Sequence, residues 1–345
     1  GIKVRMGNYD DAANLAERSL EGVALNSQIA AIAFGLLGWA RALQGHYAEG
    51  VPLLERAVDY MGNIGDVQRR ALLLRRRHWA DLSRGRYETA VQLAQRARDD
   101  FHSIGDTRGI AQMDMGLGQA RLGQGLYGEA LAYLQKAEET ARVIGDTHLE
   151  AEILWLRGRT LGEQGQGAQA EQLLQDALVM VREVGDRDDE FRVLADWARV
   201  KNEAQEFAAA HELAESAVTI AEELKNRDGL GIALIEKARA LAGLGRQADA
   251  LPVIQNAIEL LDKADSGERW RAYFALAQMT ENLPQKLAAL RTSVALLDAV
   301  RTQPEAADDA RCKAIIAARS APARVLAQLL APGAEAAALA RNWQL

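Results

Sequence analysis

The sequence predicts an all-α fold, a solenoid of two-helix repeats with a period of forty residues. Three observations carry that prediction. The tripeptide "IGD" stands at 64–66, 104–106 and 144–146, followed by "VGD" at 184–186. A second punctuation falls midway, at Gly45-His-Tyr47, Gly85-Arg-Tyr87 and Gly125-Leu-Tyr127, continued by Gly165, Gln205-Glu-Phe207 and Gly245. Between the two run columns of small residues: Gly50, Ala90, Ala130, Ala170, Ala210 and Ala250, then seven positions on Ala57, Ala97, Ala137, Ala177, Ala217 and Ala257. Seven residues are two helical turns, so both columns share a face and let neighbouring helices approach closely.

Each joint is a stop followed by a start. The column Asn26, Asp66, Asp106, Asp146, Asp186, Asn226, Ser266 offers side chains that accept from the free N–H groups opening a helix. The glycine before it supplies the left-handed residue that ends the previous helix. The first repeat is entered late, at "MGNYDDA" (6–12), with its first helix mostly missing and its second about two residues shorter. The motif degenerates around Leu283-Pro284, and beyond Pro304 the capping column fails, since Ala306 sits where a cap is due. The expected division is a solenoid of about seven repeats over 1–303. Residues 304–345 should be Ala-rich helices broken at Pro322 and Pro332, either capping the array or leading into another domain. Trp343, near the chain end, reads as exposed.

The composition supports this and narrows the function. Of 345 residues, 49% are hydrophobic and 5% aromatic, with only 6 prolines. The net charge of −7 argues against a phosphate-seeking surface, so direct nucleic-acid binding is not expected. No apolar run is long enough for a membrane span. The single cysteine, Cys312, precludes an internal disulfide or a CxxC motif and fits a reducing, cytoplasmic compartment. Cys312 reads as a small core residue. Gly1 has the look of a cleavage scar, and the chain that of a segment of a longer protein.

The repeats resemble the tetratricopeptide repeat family. In 35–58 the pattern is matched by Leu37, Gly38, Gly45, Tyr47, Leu54 and Ala57, and in 116–137 by Leu117, Gly118, Gly125, Tyr127, Ala130, Leu134 and Ala137. The family's usual period is 34; six more residues lengthen each helix by roughly 4–5 Å. This long-repeat form is similar to the arrays of kinesin light chains, of spindle-orientation scaffolds and of large bacterial regulators resembling the maltose-regulon activator. The resemblance implies a right-handed superhelical solenoid with the first helix of each repeat on the concave side, and a scaffold of no catalytic activity.

Motifs of chemistry are absent or explained by the repeat. "GQGLYG" (123–128) spells a dinucleotide fingerprint, but helices flank it on both sides and Gly125 is the repeat's own turn glycine. "DRDDE" (186–190) opens like a calcium loop, yet Phe191 and Trp197 stand where Gly and Glu are required. The five histidines are scattered and read mostly as solvated, so no zinc site is expected, no cofactor is implied, and no catalytic triad can be assembled.

What remains is the groove. Two columns one turn apart should face inward: Gly35, Arg75, Met115, Trp155, Ala195, Ile235, and Trp39, Trp79, Gln119, Arg159, Arg199, Arg239. Trp and Arg are the residues enriched at binding hot spots. The groove candidates are therefore Trp39, Arg75, Trp79, Gln119, Trp155, Arg159, Arg199 and Arg239. On a solvated face, Arg159→Glu/Arg199→Glu would abolish binding of an acidic peptide and leave the melting curve nearly intact. "LLLRRRHWADL" (72–82) departs from the pattern, with Arg77 in a position usually Leu and His78 in one usually Gly. It suggests either surface charge with one internal ion pair, or a docking point for an acidic segment, a phosphate or another domain. The leading function is a non-enzymatic scaffold, part of a larger bacterial signalling protein, that holds a peptide or partner domain in its groove. The alternative is an effector-sensing segment of a multidomain transcriptional regulator or ATPase.

Overall fold

The computed structural model describes residues 9–302, 309–330 and 332–345, with residues 309–312 as backbone only. Among the described residues there are helices and turns and no strand. A lone helix α1 (Tyr9–Arg18) precedes seven helical pairs. These are α2 (Gln28–Leu43) with α3 (Tyr47–Asn63), α4 (Val67–Ser83) with α5 (Tyr87–Ser103), and α6 (Thr107–Gly123) with α7 (Tyr127–Ile144). Next come α8 (Thr147–Glu163) with α9 (Gly167–Val184), α10 (Arg187–Glu203) with α11 (Phe207–Glu223), α12 (Arg227–Gly243) with α13 (Gln247–Lys263), and α14 (Arg269–Met279) with α15 (Leu283–Arg301). Three shorter helices follow: α16 (Asp309–Arg319), α17 (Ala321–Leu329) and α18 (Ala334–Trp343). From α1 to α16 each helix packs on the next along the chain. α1 stands in the place of a second helix, but at 10 residues it is much shorter than the two-residue trim the spacing suggested.

The joints work by the chemistry their residues imply. Asp66, Asp106, Asp146, Asp186 and Asn226 each accept from a backbone N–H in the first turn of the following helix. The column slips at its ends. Ser27, not Asn26, caps α2, and Ser266 accepts from the Glu268 N–H in a turn just before α14. Gly65, Gly105, Gly145 and Gly185 are left-handed, and the Asp66 N–H reaches back to the Met61 carbonyl to close the helix end. Lys225 and Asp265 hold the same conformation without glycine. The small columns are buried throughout, from Ala57 to Ala257 at 0% exposure.

The superhelix closes on itself. The Tyr47 hydroxyl donates to Asp228, Arg84 pairs with Asp265 at 2.9 Å, and Arg227 meets His46, each 181 residues apart. The Gly267 N–H donates to the Ser83 carbonyl at 2.7 Å. One superhelical turn is thus 181 residues, about four and a half forty-residue repeats, and successive turns touch. The contact uses the midway turns of the first helical pairs and the joints of the later ones.

The C-terminal helices belong to the same packing. α17 packs on α15, and α18 on α17. Trp343 is fully buried, with the Arg301 guanidinium 5.8 Å from its ring, so the expectation of exposure fails. An indole near a chain end buries itself when a helix face is there to receive it. α16 lies across the repeat-three turn: a Cβ on Gly125 would stand 2.7 Å from the Ala318 Cβ. Pro304 and Ala306 lie outside the described residues, as does the side chain of Cys312.

Candidate functional site: the closed concave chamber

The first helices of the pairs face inward, and closure of the superhelix turns their concave surface into a chamber. A cavity of about 120 Å³ is lined from α4 by Trp79, from α6 by Gln119, from α8 by Trp155, Arg159 and Glu163, and from α10 by Arg192, Asp196 and Arg199. Asp228, Glu236, Glu268 and Arg271 complete the far wall, and Arg319 enters from α16. Five of the eight sequence candidates therefore meet in one space: Trp79, Gln119, Trp155, Arg159 and Arg199.

The other three stand apart. Trp39 packs edge-to-face on Trp79 with ring centroids 5.1 Å apart, and both indoles are half-buried, as a groove position allows. Arg239 pairs with Glu203 and Glu236. Arg75 sits one turn before Trp79 on α4 and holds the Gln112 side-chain carbonyl.

The arginine column is not a solvated face. Arg199 is only 7% exposed, paired with Glu163 at 2.7 Å and Asp196 at 2.5 Å. Arg159 holds Glu268 at 2.8 Å, and Arg271 bridges Glu163 and Glu268 across the interior. Burial works to raise the carboxyls of Glu163 and Glu268, but Arg271 and its neighbours outweigh it. Glu163 stays well below the usual carboxylate range and Glu268 is held down to about 2. Charge reversal at Arg159 and Arg199 would leave these carboxylates buried and repelled, so the expected intact melting curve is overturned. Trp155, 5% exposed, spends its indole N–H on Asp196 at 2.6 Å.

Not every polar atom in the chamber is satisfied. Arg159 Nε, Arg319 Nη1 and Asp228 Oδ1 are buried and make no hydrogen bond within the protein. Arg319 is 8% exposed, and its guanidinium lies 5.5 Å from the rings of Tyr87 and Trp270. Burial raises the Asp228 carboxyl to about 6, even though Ser266 and Tyr47 hydroxyls oppose the shift. Arg192 sits within 6 Å of three aromatic rings, those of Trp79, Trp155 and Phe191, and holds Asp188 at 2.5 Å.

Sequence reasoning missed the acidic half of this site and both Arg271 and Arg319. One signal was present: Asp188, Asp228 and Glu268 recur at forty residues, two after the cap. Their structural counterparts are Tyr9 and Tyr47, whose hydroxyls face Asp188 and Asp228. That pairing spans a superhelical turn, which no local pattern displays.

The basic stretch on α4 contains the internal ion pair that one of its two readings expected, whereas His78 and His148 differ from the expectation of solvated histidines. Arg77 makes the internal ion pair, with Asp81 at 2.6 Å. His78 is buried, takes the space over Gly116, and bonds the Ala90 carbonyl at 2.7 Å. His148 is half-buried and meets Asp186 at 2.8 Å, Asp189 at 3.6 Å and Glu152 at 3.7 Å. His148, Asp186 and Asp189 could share a metal ion, since their ligand atoms lie within 4.8 Å of one another. The Asp186 hydrogen bond raises His148 to about 9, against burial, so a proton holds that place at neutral pH.

No helix among the described residues is long and apolar enough to cross a membrane. Among curated protein sequences none matches this chain. Similar solved structures exist at low identity. A Rap protein complexed with competence and sporulation factor is 12% identical, with a TM-score of 0.59 over 86% of this chain and 84% of that one. The apo quorum sensor NprR from B. thuringiensis is 13% identical, with a TM-score of 0.51 over 99% and 97%. A signal transduction ATPase with numerous domains from Pyrococcus horikoshii, which carries a tetratricopeptide repeat sensor, is 14% identical. Its TM-score is 0.53 over 93% of this chain and 48% of that one. Residues 109–183 match the tetratricopeptide repeat family, and the same helical pair recurs along the forty-residue period: the chain folds as a solenoid of tetratricopeptide-like helical pairs.

Proposed function

We propose that this chain is a non-enzymatic interaction scaffold of a cytoplasmic bacterial signalling protein, taking a peptide or partner segment into its concave interior. The observation that supports the reading is that Arg159 Nε, Arg319 Nη1 and Asp228 Oδ1, all buried and making no hydrogen bond within the protein, belong to residues that line one aromatic-walled cavity. Buried polar atoms ordinarily find partners, so three exceptions around one space suit a ligand. The likeness in fold to a Rap protein complexed with competence and sporulation factor and to a quorum sensor supports a binding role for the solenoid. Peptide entry would part the Tyr47–Asp228 and Ser83–Gly267 contacts. The test is selection of peptides from a random display library on the intact chain, followed by affinity measurement on Trp79→Ala and Arg319→Gln. A loss of about tenfold or more is expected. Selected peptides that bind both variants as tightly as the parent would place the site elsewhere.

The small volume favours a second reading, in which a small effector fills the chamber and biases an attached ATPase or DNA-binding domain. It predicts a metabolite that raises the melting temperature in proportion to occupancy, an effect Arg319→Gln removes.

A further inference from the structure

The charges that line the chamber divide by partner. Glu163 holds Arg199 and Arg271, and Glu268 holds Arg159 on one oxygen and Arg271 on the other. Asp196 takes Arg199 and the Trp155 indole, Glu236 takes Arg239, and Arg192 takes Asp188. Two lining residues stand outside these pairs. Arg319 makes no ion pair with a described residue, and its Nη1 is buried without a hydrogen bond. It lies in the fields of Glu163 and Glu268, whose oxygens other guanidiniums already hold. The rings of Tyr87 and Trp270, each 5.5 Å away, fix its position without taking its Nη1. Asp228 has the Ser266 and Tyr47 hydroxyls beside it and pairs with no cation among the described residues. Arg192 exerts the weakest pull on it of the groups around it, and its Oδ1 is buried without a hydrogen bond.

One cavity therefore carries one cation and one anion that the fold leaves without a charged partner. Arg319 comes from α16 and Asp228 from the first turn of α12. A charge taken out of water is costly until an opposite charge meets it. A neutral ligand would relieve neither residue, and an ion of one sign only one of them. A molecule with a carboxylate and an ammonium relieves both, through charge-assisted hydrogen bonds at each end. The cavity, about 120 Å³, suits one small molecule. We propose that the chamber binds a small amphoteric ligand, an amino acid or a dipeptide, with its carboxylate on Arg319 and its ammonium on Asp228. This rests on the chamber being a ligand site, as both readings above hold, and adds the two charges of the ligand and their places.

The experiment titrates the whole chain calorimetrically with alanine, leucine, phenylalanine and serine and with their dipeptides, whose ends carry their only charges. Each ligand is used with free ends, N-acetylated and C-amidated. The parent should bind a free-ended ligand, and either cap should weaken it about tenfold. Arg319→Gln should erase the penalty of the C-terminal amide and keep that of the acetyl group, and Asp228→Asn should do the reverse. Each comparison is made within one protein, so a variant's change in stability cancels, and the penalties on the parent need no variant. Tighter binding of the amino acids or of the dipeptides would identify the source of the amphoteric ligand, and either supports it. Equal binding of capped and free ligands by the parent would overturn the amphoteric ligand while leaving the chamber a ligand site. So would a cap penalty that survives in its matching variant. If no free-ended ligand binds the parent, the amphoteric ligand is overturned, while the proposed function stands or falls separately on the display selection.

Discussion

The midway turns at Gly45, Gly85 and Gly125 share a backbone with those at Gly165, Gln205 and Gly245, all with left-handed φ between 61° and 80°. Their surroundings differ. The first three are seats for the next superhelical turn: Gly45 meets Ala264, Gly85 meets Gly267, and Gly125 meets α16. Around Gly165 and Gly245 a Cβ would meet nothing within 4 Å. So glycine serves two purposes in the early turns and one in the later. Gln205 shows that where only the dihedral matters, another residue can hold it. The tyrosines of that column follow the same division. Tyr47, Tyr87 and Tyr127 begin the second helices in the covered region, while Gly167, Phe207 and Gln247 begin them in the open one. Closure is therefore a property of particular repeats and not of the repeat as such.

The comparison can be broken most severely through the ion pairs that tie α8 to α14 behind the covered turns. Arg159→Glu/Arg199→Glu should lose at least about 3–5 kcal/mol, the usual loss when one member of a buried pair is removed. Chemical denaturation measures it, and an unchanged midpoint would mean that the chamber is open and solvated. Next in size is Gly267→Ala. Its φ is not left-handed, so only space is tested, and the new Cβ would lie 2.5 Å from the Gly85 nitrogen. We expect a loss of about 1–3 kcal/mol together with easier quenching of Trp79 by an aqueous quencher. If the loss came without a change in quenching, the clasp would not be what closes the chamber.

A pH experiment sharpens the role of the clasp. Asp228 has a folded pKa of about 6, above its ordinary value of 3.8, so the native state holds its proton more tightly than the unfolded chain. That favourable linkage is fully present below pH 3.8 and is lost as pH rises through 6. Asp228→Asn keeps a partner for Tyr47 and should flatten the slope of stability between those values. A slope identical to the parent's would show Asp228 to be hydrated. His148 gives the opposite group in the same linkage. Its pKa is raised to about 9, so its contribution is full below pH 6.5 and fades as pH climbs through 9. The smallest effects belong to the open turns. Gly165→Ala should cost about 1 kcal/mol from the dihedral alone, and Gln205→Gly should gain about as much. Gly85→Ala should exceed Gly165→Ala, and equality of the two would erase the distinction between covered and open turns.

The fold was legible because its determinants are local or lie between neighbouring helices. A cap, a left-handed glycine and a small residue at a helix contact each need only the adjoining few residues, or the next helix, to be recognised. Five groove positions were legible too, since helix phase sends Trp79, Gln119, Trp155, Arg159 and Arg199 to one side. Their state was not. Phase places Arg199 on the inner face but says nothing of Glu163, which arrives from the neighbouring pair's first helix, or of Glu268 and Arg271, which pair with Arg159 and Glu163 across 109 and 108 residues. Trp343 misled for the same reason: its burial depends on α15 and α17, not on its own flanking residues.

By itself the amino-acid sequence determined the forty-residue beat, the helix boundaries at "IGD" and the inward face of each pair. Tertiary structure alone decided that the array closes after 181 residues and that the arginines of its inner face are paired with acids from other repeats. The physical reason is accumulation. Each repeat adds a small rotation that its neighbours fix, and only their sum over four to five repeats determines which distant turn Tyr47 and Gly85 will touch.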